Sequence, residues 1–129
     1  MREIKSILAA AGTSVAITFA AMAATQAQTI ENGNGVVCES PEQVVQFIAL
    51  GTDTQSALAQ INTQNKSRVC EFIDAAYLVG AVVAEATNDK GSWQVRKILI
   101  VGLIIGRVTS PVQPYQKYTA FIVSKASPI

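Results

Sequence analysis

The hydrophobic positions of this chain change their spacing along its length, and each change marks a different kind of element. From Ser6 to Ala24 they form an uncharged block rich in Ala, Ile, Val, Leu, Phe and Met. Val44, Val45, Phe47, Ile48 and Leu50 then fall on one side of a 3.6-residue turn, which predicts a helix. Its start is marked at Ser40-Pro41-Glu42-Gln43 by a capping hydroxyl, a proline at the first helical position, an acid near the positive end, and a Gln three after the cap. Gly51 supplies the stop. Residues 53–62 predict a second short helix, with Leu58 and Ile61 inward and Ala57 and Ala59 as helix formers.

From Val69 the composition turns to β-branched and aromatic residues bounded by Gly and polar clusters, which predicts strands at about 69–79, 81–87, 92–105 and 117–124. Asn88-Asp89-Lys90-Gly91 is the turn between the second and third of these, closed by Gly91 as a bulged hairpin. Phe72, Ala76, Val79 and Val83 also lie at helical spacing in an Ala-rich stretch, so 71–86 carries a helical alternative. The run Ile98 to Ile105 is too short to cross a bilayer as a helix. Bounded by Arg96, Lys97 and Arg107, it reads as a central strand buried on both faces. Gly106 to Gln116, with Pro111 and Pro114, reads as a loop excluded from the sheet interior. Gln28 to Val37, with Asn32-Gly33-Asn34-Gly35, reads as a flexible segment anchored only at Cys38.

The first block has a different meaning from the rest. Arg2 and Lys5 precede it, and Thr25 and Ala27 place small side chains three residues and one residue before the bond to Gln28, the pattern of a cleaved signal peptide over residues 1–27. Gly12, Thr13, Ser14, Thr18 and many Ala residues dilute the block below what a membrane anchor calls for. Removing 27 of 129 residues leaves 102, enough for one domain over 38–129 behind the flexible segment. Ten Lys/Arg and nine Asp/Glu fall to eight of each once Arg2, Glu3 and Lys5 leave, so the mature chain has no net charge to draw it to nucleic acid. No membrane span is expected in the mature protein.

Export delivers Cys38 and Cys70, the chain's two cysteines, to an oxidising compartment, where they are expected to pair. Closing a loop of that size contributes about 3–4 kcal/mol on the chain-entropy model. The expected architecture is α+β: two short N-terminal helices, disulfide-linked to a small antiparallel sheet of about four strands.

The chain has no histidine, which removes the commonest general base and metal ligand. Glu71 and Asp74 would share a helix face, but on a strand residues three apart point to opposite sides. Gly102 to Arg107 lacks the spacing and the Lys-Ser/Thr pair of a phosphate loop. No catalytic residue, cofactor or metal is expected. Trp93, Arg96, Arg107 and Tyr115, with Lys97 and Tyr118 nearby in sequence, are the candidates for an interaction surface, because aromatics and Arg carry much interface energy. The competing reading places Trp93 and Tyr118 over the edge of the core.

Cys38 ahead of a Pro-Glu-Gln-Val helix, a second helix, Cys70 opening a β region, the apolar strand around Ile98 to Val101 and Tyr118-Thr119-Ala120-Phe121 together resemble a group of short exported bacterial proteins of unknown function. The resemblance implies a two-part α+β fold with one disulfide and carries no activity with it. The expectation is therefore a periplasmic or secreted, non-enzymatic binding module acting on an envelope protein, with a carboxylate-based hydrolase-like enzyme as the alternative.

Overall fold

The computed structural model describes residues 29–123, so the expected cleavage between Ala27 and Gln28 lies outside the described residues. The order of elements is β1 (Ile30–Cys38), α1 (Pro41–Leu50), α2 (Thr54–Asn65), β2 (Cys70–Asn88), β3 (Gly91–Ile105) and β4 (Val108–Ile122). Two helices on a four-stranded antiparallel sheet make the fold α+β. Among the described residues no helix is long and apolar enough to cross a membrane.

The helices form where the local chemistry directs them. Gln43 N–H donates to Ser40 Oγ at 3.3 Å and Ser40 N–H to Gln43 Oε1 at 3.0 Å, a reciprocal box that satisfies two otherwise orphaned donors. Gly51 ends α1 at φ +61°. Asp53 caps α2 through Ser56 N–H at 2.9 Å, and that bond, the largest cause, holds its carboxyl below the ordinary value. The helix runs three residues past the expected end, to Asn65. Ala57 is buried with Ile61, whereas Leu58 is half-buried.

Gln28 to Val37 departs from its expected flexibility: residues from Ile30 form β1, paired in unbroken register with β2 from Ile30↔Leu78 to Cys38↔Cys70. A strand that pairs along its whole length with a partner supplied by the tertiary fold needs little propensity of its own. The two strands expected at 69–79 and 81–87 are one strand, β2, and the helical alternative for 71–86 is not adopted. The hairpin at Asn88↔Gly91 is present, with β3 following as expected.

β3 lies between β2 and β4, but its apolar run is not buried on both faces. Ile98 and Ile100 are buried, Val101 is half-buried, and Leu99 and Ile105 are exposed by 37% and 71%. The helices pack over this strand at Trp93 and Val95. Pro111 and Pro114 also depart from expectation, since both lie within β4. Pro111 pairs with Gly102 and Pro114 sits in the bulge between Ile100↔Tyr115 and Gly102↔Pro111. The other margin of β4 pairs with β1 only at Cys38↔Tyr118, so neither proline removes a ladder bond on that side.

That single pair closes the sheet into a barrel. One face carries Val36, Cys38, Cys70, Trp93, Val95 and Ala120 beneath Val44, Ile48 and Ile61 of the helices. The other curls on itself around Val37, Ala75, Tyr77, Ile98, Ile100 and Phe121. A cleft of ≈ 10 Å³ between Gly33 to Gly35 and Ile98 has about the space of one water.

Candidate functional site

Cys38 and Cys70 are bonded, with an S–S distance of 2.07 Å and Cα atoms 4.1 Å apart. The bond does not join a helix to the sheet, as the sequence suggested. It links two residues directly opposite each other on β1 and β2, and both helices lie inside the loop it closes. Asn62, unremarked in the sequence, holds the strand beside it. Val69 N–H and Cys70 N–H both donate to Asn62 Oδ1 at 2.9 Å, and Asn62 Nδ2 donates to Cys70 O at 2.9 Å.

The residues proposed for an interaction surface are dispersed. Trp93 is buried at 8% exposure under the helices, and its indole N–H has no acceptor among the described residues. Half-buried Tyr118 packs against the same cluster. Arg96 is turned to the neighbouring strand, where its Nε donates to Gly80 O at 3.0 Å. Arg107 lies in the turn at the opposite end of β3 from Trp93. Tyr115 packs against the second core cluster, under Lys117, whose Nζ is 5.9 Å from the ring centroid. Burial first, then the nearby Glu71, raises the Tyr115 hydroxyl above its ordinary value. Tyr77 is raised the same way, by burial and then by Glu31.

Glu71 and Asp74 both lie on β2, three residues apart, and so project to opposite faces of the sheet. Among the described residues no group of His, Cys, Asp or Glu is placed to hold a metal ion.

What the sequence reading missed is the β1–β2 ribbon. Over Ile30–Cys38 and Cys70–Leu78 it carries Glu31, Glu71 and Asp74 and no Lys or Arg. Ile30 and Phe72 are exposed on it by 60% and 54%. The direction of its main-chain groups follows from the disulfide end. Cys70 gives both its N–H and its C=O to Asn62, so both point away from β1, and Cys38↔Cys70 is a pair without mutual hydrogen bonds. By alternation Glu31, Gly33, Gly35 and Val37 bond to β2, while Ile30, Asn32, Asn34, Val36 and Cys38 turn theirs outward. Cys38 meets Tyr118 there, and Val36 O accepts from Thr119 Oγ1 at 2.6 Å. Ile30, Asn32 and Asn34 have no partner on that side among the described residues. Their only advance signal was Ile30 and the Val36-Val37 pair flanking a segment whose Asn and Gly residues favour turns.

No family model matches this chain, and no curated protein or solved structure matches it.

Proposed function

We propose that this protein is an exported, non-enzymatic binding module that acts on a protein partner in the cell envelope or outside it. The observation that supports this most directly is the ribbon of β1 and β2, closed at one end by the Cys38–Cys70 bond and exposing Ile30 and Phe72 at the surface. A surface held rigid before it meets a partner loses less conformational freedom on binding. The bond also fits an oxidising compartment, in line with the uncharged block and small-residue site ahead of Gln28.

The test is affinity capture with the tagged mature chain, residues 28–129, from separated cytoplasmic, envelope and culture fractions. One protein retained in a fixed ratio from envelope or culture, and displaced by untagged chain, is the expected result. Retention of residues 1–27 by intact-mass measurement, together with no displaceable partner in either fraction, would overturn the proposal.

A further inference from the structure

Several stretches of the sheet margin have no neighbouring strand among the described residues, and they are built differently. On β2, the margin beyond Leu78 is broken by two bulges: Gly80 and Ala81 together oppose Lys97, and Val83 is an extra residue between Val82↔Arg96 and Ala84↔Val95. On β4, the margin before Tyr118 carries Pro111 and Pro114, which have no N–H to offer. Bulges and prolines are the devices that keep a sheet margin from pairing with other chains. The outer margin of β1 has neither. From Ile30 to Asn34 it is regular, contains no Pro and no Lys, and presents main-chain donors and acceptors at every second residue.

The two strand segments beside that margin carry charge of one sign. Glu31 lies on one face of the ribbon and Asp74, opposite Asn34, on the other, with Glu71 further along and no cation on either strand segment. On the face shared by the outward-bonding residues, Ile30, Asn34 and Phe72 alternate apolar and polar positions at the surface.

We propose that the outer margin of β1 at Ile30, Asn32 and Asn34 is a docking site for an extended, lysine- or arginine-bearing peptide segment of a partner protein, which adds as a further strand. The segment's main chain bonds to the three outward-facing residues, its basic side chains lie on the face of Glu31, and its apolar side chains lie on the other face, over Ile30. This rests on the binding-module reading above and names the surface and the chemistry of the partner.

The test uses the oxidised mature chain with two short synthetic peptides, one alternating Val and Lys and one alternating Val and Glu. Amide chemical shifts report the site of binding and amide exchange reports whether the margin is free. The expected result is saturable binding of the Lys peptide, weakened by salt, with shifts centred on Ile30, Asn32 and Asn34 and slowed exchange there. Asn32→Lys, which places a like charge on the margin, should weaken that binding by about tenfold or more while leaving the dispersed spectrum of the fold unchanged. Asn32→Pro removes one outward N–H without touching a β1–β2 bond and should act in the same direction.

Equal binding of both peptides, shifts elsewhere, or no binding would overturn the proposal. So would slow exchange at Asn32 and Asn34 in the free protein, which would mean that the margin is covered by a second copy or by residues of this chain. Sedimentation of the wild type and Asn32→Pro separates those two. A displaceable partner captured equally by wild type and Asn32→Lys would leave the binding-module reading standing and remove this site.

Discussion

Asn62 lies in the last turn of α2, and its carboxamide reaches forward to the strand that follows. It satisfies the N–H groups of Val69 and Cys70 and the carbonyl of Cys70 next to the disulfide. Truncation leaves all three without those partners, at a cost of about 2 kcal/mol or more for half-buried groups. Asn62→Ala is therefore expected to lower stability by that amount in urea denaturation of the oxidised protein, with an unchanged m-value. Asn62→Asp, which keeps the acceptor and loses the donor, should recover part of it. No sequence rule singles out this residue, because an Asn near a helix end is common. The significance of Asn62 lies in where the next strand is placed.

At the scale of elements, the bends of β2 come from its own sequence in a way that only the paired strand makes visible. Two residues of β2 face one of β3 at Gly80, and a side-chain carbon placed on Gly80 would stand 2.9 Å from the main-chain oxygen of Lys97. Main chain on the neighbouring strand cannot swing aside. Gly80→Ala is expected to destabilise the fold by about 1–3 kcal/mol. It should also disturb the amide shifts of Arg96 and Lys97, since Arg96 Nε bonds to Gly80 O. The same change at Gly106, where nothing lies within 4 Å, would meet no such obstacle, though its φ of +66° disfavours any side chain. Helix α1, by contrast, was legible with its cap, its proline and its stop, because those signals act within a few residues of one another.

For the whole molecule, Cys38 is the point where the ribbon, the helical excursion and the barrel closure meet. It is bonded to Cys70, pairs with Tyr118, and leads into α1 two residues before the Ser40 cap. Loss of the bond should lower stability by about 3–4 kcal/mol on the loop-closure model, out of about 5–15 kcal/mol for a domain of this size. Cys38→Ala and Cys70→Ala are expected to lower the midpoint of thermal unfolding by similar amounts. The double variant should fall no further, because either substitution already removes the bond. Two thiols reactive in the native protein would contradict this.

The sequence by itself determined whatever depends on neighbours along the chain: two helices with both ends of the first and the start of the second, the Asn88–Gly91 turn, the strand that follows it, and a pair of cysteines with no competing use. Tertiary structure decided the rest. It made a strand of Asn32-Gly33-Asn34-Gly35 by supplying β2 as a partner, and it admitted Pro111 and Pro114 to β4 because that margin has no neighbour among the described residues. It also buried Trp93 and carried Arg107 to the far end of the same strand, so residues that looked like one surface are separated. The physical reason is the same in each case. A helix bonds within four residues and announces itself locally, whereas a strand takes its partner, its exposed face and its free margin from chain that may be distant in sequence.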